Sequence, residues 1–308
     1  MLGRLVRWLT GASEQATAGV RSRAAAGPGR RGVEKLSSLL GMSVGDLRGV
    51  RPEYALFRLP KRSGGTRPIH IPSGPLKALQ RRVLRRILAR LRAHPAATGF
   101  ERGHSIVTHA LPHVGKDVVV RLDIKDFFGS IRRAMVERFF LAIGWDAQAA
   151  RLLTDLCTHD GSLPQGAPTS PRLSNLVNWR LDERLSALAQ KLGASYSRYA
   201  DDMTFSLLAQ GDATPHTANR IIRLAKSILA DEGYAMHAHK KLRVYRRGDR
   251  QMVTGLVVNE KVSLPRLKRR WMRAAEHHLR TGRQATVTAQ QLQGWKSLAA
   301  MVESQRRA

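Results

Sequence analysis

The sequence predicts an α+β fold. Three observations carry that expectation. Short apolar segments of strand character, KDVVVRLDIKDFF (116–128), ASYSRYADDMTFSLL (194–208) and RQMVTGLVVN (250–259), are separated by longer segments of helical spacing. In PLKALQRRVLRRILARLRAH (75–94), Leu76, Leu79, Val83, Ile87 and Leu91 recur every three or four residues, with arginines over the remaining surface. Hydrophobic residues make up 43% of the 308, which supplies a real core and excludes a fully disordered chain.

Residues 11–33 are small, polar and Gly-rich, the composition of a loose arm. A short helix is expected from Val33, then a turn-rich stretch from Gly41 to Pro52. YALFRLPKRSGGTRPIHIP (54–72) has the form of a hairpin joined at Gly64-Gly65. After the helix at 75–94, Val118–Leu122 predicts a strand ending on Asp123. Helices follow at about 132–143, 147–157 and 171–192. Residues 194–208 predict a hairpin with acids at its tip, 213–234 a helix ended by Gly233, and 250–259 one more strand. From Ser263 to Ala308 the spacing is helical, with a break around 281–288.

Lys and Arg number 53 and Asp and Glu 23, a formal charge of +30. That surplus repels itself unless an anion absorbs it, and nucleic acid is the partner it fits best. The charge is clustered: eleven Lys or Arg and no acid lie between Glu53 and Glu101, and eleven face only Glu276 and Glu303 from residue 261 onward. The single cysteine, Cys157, excludes an intrachain disulfide and a Cys-based zinc site. Arg4 and Arg7 interrupt the apolar N-terminus, and no apolar run approaches a membrane span, so a cytoplasmic protein with no membrane partner is expected.

In so basic a chain, clustered carboxylates need a reason. Asp123 ends a strand, and Asp201 and Asp202 lie at a hairpin tip. If the two segments are neighbours, three carboxylates converge, and such convergence calls for a cation. Magnesium suits it, being held by one or two carboxylates plus substrate phosphates. An adjacent acid pair alone reads more readily as a plain turn.

LDIKDFF, LPQGAPTSP (163–171) and YADD, in that order, resemble the palm of a reverse transcriptase over about residues 54–260. The resemblance implies a right-hand polymerase: fingers, a palm with a ferredoxin-like antiparallel sheet, and a small helical thumb. It implies an arm at 1–33, fingers at 34–115, palm at 116–260 with inserted fingers elements at about 145–175, and thumb at 261–308. Asp123, Asp201 and Asp202 would be catalytic and bind two Mg2+ ions, for which Mn2+ can substitute. Phe128 stands where the family places an aromatic steric gate against a 2′-hydroxyl, with Phe127 or Phe128 also in the core. Gln165 and Gly166 match the loop that packs on the nascent base pair. Lys61 and Arg67, in the fingers hairpin, would clamp the deoxynucleoside triphosphate. In HAHKKLRV (237–244), His237 stands at the family's Asn position and Lys241 at its Thr position, so Lys240 or Lys241 would approach the triphosphate. His237 and His239 themselves are expected to be solvated.

Two further segments resemble retron reverse transcriptases. GHSIVTHALPHVGK (103–116) carries Ala110 and His113 of their Asn-Ala-x-x-His element, with His109 in place of Asn. VTGLVVN (253–259) carries their Val253-Thr254-Gly255 element. In the family these elements help bind the cognate RNA. The length left after the palm, too short for a maturase region, points to the same branch. Lys268, Arg269, Arg270 and Arg273 would follow a duplex backbone, with Trp271 and Trp295 in the core. Retron membership implies DNA synthesis primed on and templated by a cognate non-coding RNA, an RNA-linked DNA product (msDNA), and an effector protein in antiphage defence. Two alternatives stand beside it: a reverse transcriptase of another bacterial class, such as group II intron-like, and a non-catalytic RNA-binding protein with a palm fold.

Overall fold

The computed structural model describes residues 30–61, 64–208, 213–237 and 242–306, the side chains of 213–215 excepted. Lys240, Lys241, His239 and most of the expected arm lie outside these residues. In chain order the elements are α1 (Val33–Leu40), α2 (Val44–Gly49), β1 (Tyr54–Pro60), β2 (Thr66–Pro72), α3 (Gly74–Arg86), α4 (Ile106–Ala110), β3 (Val118–Asp123), α5 (Phe127–Ser130), α6 (Arg133–Ala142) and α7 (Ala147–Cys157). They continue with α8 (Ser170–Val177), α9 (Trp179–Lys191), β4 (Ala194–Tyr199), β5 (Asp202–Leu207), α10 (Ala213–Asp231), β6 (Arg243–Arg246), β7 (Met252–Val253), β8 (Leu256–Val257), α11 (Arg266–Arg280) and α12 (Ala289–Gln305). The chain groups into two units. The first holds the described residues up to Ala97, with Lys125–Arg184 and Ile228–Ala235; the second holds Thr98–Ile124, Leu185–Ser227 and the described residues from Met236 onward.

In the first unit, β1 and β2 pair antiparallel from Tyr54↔Pro72 to Pro60↔Thr66. Gly64 (φ 86°) and Gly65 (φ 76°) supply the left-handed backbone of their connection. The periodic segment after them is helical only to Arg86, and a 3-10 turn, Leu88–Arg90, continues it. Its stripe is buried as expected at Leu76, Leu79, Val83 and Ile87. Gln80 shares that buried face, and its Nε2 donates to the Tyr54 hydroxyl at 2.7 Å and to the Leu156 carbonyl at 2.8 Å. The helix expected over 171–192 is two helices. They separate at Asn178, whose buried Nδ2 donates to the Ser174 carbonyl at 2.8 Å, a local bond that competes with helix continuation. Arg31 is docked rather than loose: its main chain bonds Gly144 and Asp146, and its guanidinium lies 4.8 Å from the Trp145 ring centroid.

In the second unit, four strands form an antiparallel sheet of order β4-β5-β3-β6. Because β3 has a neighbour on each side, its residues are buried save Arg121, which is half-buried; this matches the apolar run VVV. Alternation sends Val118, Val120, Leu122, Met203, Phe205 and Leu207 to one face. Arg121, Asp123, Asp202, Thr204 and Ser206 go to the other. β6 carries Arg243 and Arg246 and is an edge strand, which explains why no apolar alternation announces it. The strand expected over 250–259 folds back on itself: β7 and β8 form a two-residue hairpin turning at Thr254 (φ 44°) and Gly255 (φ 85°). Behind it lies a core of Val107, Ala110, Val119, Val253, Leu256, Val258, Val262, Leu264 and Val302, on which Met272, Leu298 and Met301 of the last two helices pack. The expected break at 281–288 separates α11 from α12, and Thr288 caps α12 through a capping box with Gln291.

Candidate active site

The register of β3 and β5 sets the site. Asp123, the last residue of β3, pairs with Asp202, the first of β5. Directly opposed residues put their Cβ atoms on one face, about 4.5–5.5 Å apart. Asp201 precedes Asp202 in the β4–β5 turn, and its carbonyl accepts the Ile124 N–H at 3.0 Å. The turn is short because Ala200 takes a left-handed conformation, φ 57°. Asp123 is buried, while Asp201 and Asp202 are half-exposed. Two segments 78 residues apart thus carry all three carboxyl-bearing residues to one end of a sheet.

Two basic groups attend them. The Arg121 guanidinium donates to the Asp202 carboxylate at 3.0 Å, diagonally across the same face. His237 Nε2 lies 3.7 Å from the Asp123 carboxylate, and the His237 main-chain N–H donates to the Asp123 carbonyl at 2.9 Å. His237 therefore faces Asp123 while its side chain stays 38% exposed, in keeping with the solvated histidine expected. Arg121 had a signal in the sequence, an arginine inside VVVRLD two residues before an acid, spacing that shares a strand face.

Among the described residues, no group of three or more His, Cys, Asp or Glu is gathered closely enough to hold a metal ion by itself. The donor set nonetheless fits magnesium. That ion takes hard oxygen ligands and binds through one or two carboxylates with substrate phosphates rather than in an all-protein cage. Asp123, Asp201 and Asp202 offer only such oxygens.

Below the acids the same face is a buried polar layer. His113 bridges two strands, with Nδ1 2.7 Å from Ser206 Oγ and Nε2 2.7 Å from Ser197 Oγ. His109 Nδ1 is 2.8 Å from Thr98 Oγ1, and its ring packs edge-on against Tyr199, centroids 5.6 Å apart. Thr98 Oγ1 also donates to the Arg198 carbonyl at 3.1 Å, so His109 Nδ1 must donate to Thr98. Burial pushes both imidazoles down to about 3, which keeps them neutral.

This placement corrects several expected roles. His109, Ala110, His113 and Val253 have no exposed surface, so the structure does not present their side chains for direct contact with RNA, and a role in RNA binding would be indirect. They hold α4 and the β7–β8 turn in place. Thr254 is half-buried, its hydroxyl donating to the Ile106 carbonyl at 3.3 Å, and Gly255 is exposed at the turn. Lys268 is half-buried, its ammonium 3.8 and 3.5 Å from the ring centroids of Trp271 and Trp295. Arg269, Arg270 and Arg273 are exposed on α11.

The first unit carries the remaining candidates. Lys61 and Arg67 are exposed at the β1–β2 hairpin. Phe127 is buried and Phe128 half-exposed, so the core role falls to Phe127. Gly166 has φ 126°, and a Cβ there would stand 2.6 Å from the His70 carbonyl. The glycine is thus required by the approach of its loop to β2, which the His70 N–H seals by donating to the Gln165 carbonyl at 2.8 Å.

Residues 59–270 match the family described as reverse transcriptase (RNA-dependent DNA polymerase). The chain is 42% identical over 270 residues to the retron Mx65 reverse transcriptase of Myxococcus xanthus, covering 79% of this chain and 62% of that protein. It is 37% identical over 306 residues to the retron Mx162 reverse transcriptase of the same organism, covering 87% and 63%. It is 36% identical over 242 residues to the retron Ec86 reverse transcriptase of Escherichia coli, covering 77% and 72%. The chain belongs to the reverse transcriptase family and, within it, to the bacterial retron reverse transcriptases. It spans just under two thirds of the length of the two Myxococcus relatives. Among the described residues, no helix is long and apolar enough to cross a membrane.

Proposed function

We propose that this chain is an RNA-directed DNA polymerase that copies a cognate structured RNA, using that RNA as both primer and template. The observation that carries the reading is the register pair Asp123↔Asp202 with Asp201 beside it. The reaction joins a primer hydroxyl to the α-phosphorus of a deoxynucleoside triphosphate and expels pyrophosphate. No protein nucleophile is needed, so positioning and charge neutralisation set the rate. Asp123, Asp201 and Asp202 would hold two Mg2+ ions, whose charge acidifies the primer hydroxyl and offsets the triphosphate.

The other residues position the reactants. Arg121 neutralises Asp202 until the substrate complex forms. Lys61 and Arg67 clamp the triphosphate, with Lys240 or Lys241 approaching it from the segment after Tyr234. Phe128 presents its ring to the sugar and excludes a 2′-hydroxyl. Gln165 and Gly166 pack on the nascent base pair. Arg269, Arg270 and Arg273 follow the duplex backbone, and the Thr254-Gly255 turn meets RNA at the surface. These roles describe fingers, palm and thumb as the family arranges them. In a retron the product is RNA-linked msDNA, made in the cytoplasm and used with an effector protein in antiphage defence.

The test is to purify the protein from cells carrying its flanking DNA and treat the bound nucleic acid with RNase and DNase after denaturation. DNA still joined to RNA supports self-priming. The Asp201→Ala/Asp202→Ala double variant should bind RNA and carry no DNA; DNA in that preparation overturns the assignment.

A further inference from the structure

Gly99 belongs to none of the elements that hold, clamp or gate the substrates. We propose that it is a positioning residue for the carboxylate turn, which lets the 98–100 segment lie directly against the backbone of Tyr199 and Ala200. This rests on the reading of Asp201 and Asp202 as metal-binding residues. A Cβ built on Gly99 would stand 2.7 Å from the Ala200 nitrogen and 3.1 Å from both the Cα and the carbonyl carbon of Tyr199. All three are main-chain atoms, so no rotamer change makes room.

The turn has no slack to absorb such an intrusion. On one side, the Thr98 N–H and hydroxyl both donate to the Arg198 carbonyl, at 2.8 and 3.1 Å. The fully buried Arg198 guanidinium donates to the Ala200 carbonyl at 3.0 Å. Ala200 is held left-handed, φ 57°, where a side chain is already costly. On the far side, the Asp201 carbonyl accepts the Ile124 N–H at 3.0 Å. Tyr199 is also packed by the Phe100 and His109 rings, with centroids 6.3 and 5.6 Å away. A shift of Ala200 therefore passes along the chain to Asp201 and Asp202, the residues whose placement sets the reaction.

The experiment compares wild type, Gly99→Ala and Asp201→Ala in primer extension on a homopolymer RNA template with a DNA primer. It reads kcat, KM for the nucleotide, half-saturating Mg2+, RNA affinity and melting temperature. Misplacing a reacting group by about 1 Å can cost about 100-fold, so the smaller shift here should lower kcat about tenfold or more. Half-saturating Mg2+ should rise, with KM and RNA affinity within about threefold of wild type. A kcat within twofold of wild type, or a kcat that falls only in proportion to the folded fraction, overturns the proposal. Should Gly99→Ala not fold, Thr98→Val carries the test: it keeps the Thr98 N–H bond and removes the hydroxyl, with its bonds to the Arg198 carbonyl and to His109 Nδ1, so His109→Gln, which disturbs the ring alone, is measured beside it. A lowered kcat per folded molecule with raised half-saturating Mg2+ supports the proposal, and unchanged values overturn it. If Asp201→Ala still extends primers, the site reading itself fails. If Asp201→Ala is inactive and Gly99→Ala fully active, only the role of Gly99 fails.

Discussion

Asp123 and Asp202 face each other across β3 and β5 as a register pair, and Arg121 reaches diagonally from β3 to the Asp202 carboxylate at 3.0 Å. Two like charges opposed on one sheet face destabilise each other, and a cation is what permits the arrangement. Arg121 is the cation the chain itself provides. Under the proposed function, a metal arriving with substrate phosphates would compete with it for the same carboxylate.

Replacing Arg121 with Met should therefore tighten the metal site. A charge-assisted bond contributes about 1.5–3 kcal/mol, and partial exposure reduces this to about 1 kcal/mol. Half-saturating Mg2+ in primer extension should fall about fivefold in Arg121→Met, with a small loss of melting temperature. A rise in the Mg2+ requirement would show that Arg121 assists the metal instead.

Phe127 and Phe128 should separate cleanly by assay. Phe127 is buried, so Phe127→Ala should cost about 3–5 kcal/mol of stability in a denaturant titration. Phe128 is half-exposed, and Phe128→Ala should leave stability nearly intact while admitting ribonucleotides. Unchanged discrimination between deoxy- and ribonucleotides in Phe128→Ala would remove it from the sugar pocket.

Lys268 and Arg269 are sequence neighbours with different surroundings. Lys268→Ala should lower stability by about 1–2 kcal/mol through loss of its contacts with Trp271 and Trp295. Arg269→Ala should leave stability unchanged and reduce the salt dependence of RNA binding by about one phosphate contact. Salt titrations of RNA affinity, beside thermal melts, separate the two.

The buried histidines give the fold an acid limit. Their folded pKa values lie at about 3, below the ordinary 6.5, so the unfolded chain binds more protons between those values. Stability from His109 and His113 is complete above pH 6.5 and is lost as pH falls toward 3. Each contributes about 1.4 kcal/mol per pH unit of that loss. Urea melts at pH 7.5 and 5.5 should show the drop, and His113→Gln should flatten the slope. An unchanged slope in that variant would place its proton uptake elsewhere.

Strand β3 and the acids at its end and at the β4–β5 tip were legible in the sequence because β3 is buried between neighbours and writes its apolar run plainly. The helix that runs from Gly74 to Arg86 was legible for the same reason, through a stripe facing a core, but its early end was not. β6 was not, since an edge strand of Arg243 and Arg246 carries no apolar alternation. The split at Asn178 escaped periodicity because both halves keep the same spacing, and only a side-chain bond interrupts them. His109 and His113 were read through the resemblance as RNA-binding, and nothing in the sequence signalled their burial. What buries them is Ser197, Ser206 and Thr98, whose hydroxyls satisfy the rings from strands far along the chain. Gly99 had no signal at all, because its role lies in what it leaves out.

The most direct test of the central claim is DNA synthesis by the purified protein and its Asp123→Asn variant, on an RNA template with a DNA primer, across a range of Mg2+. The substitution keeps shape and removes one charge. The account predicts that Asp123→Asn binds RNA as wild type does and loses kcat by about 100-fold or more at every Mg2+ concentration. Synthesis within tenfold of wild type at saturating Mg2+ would contradict it.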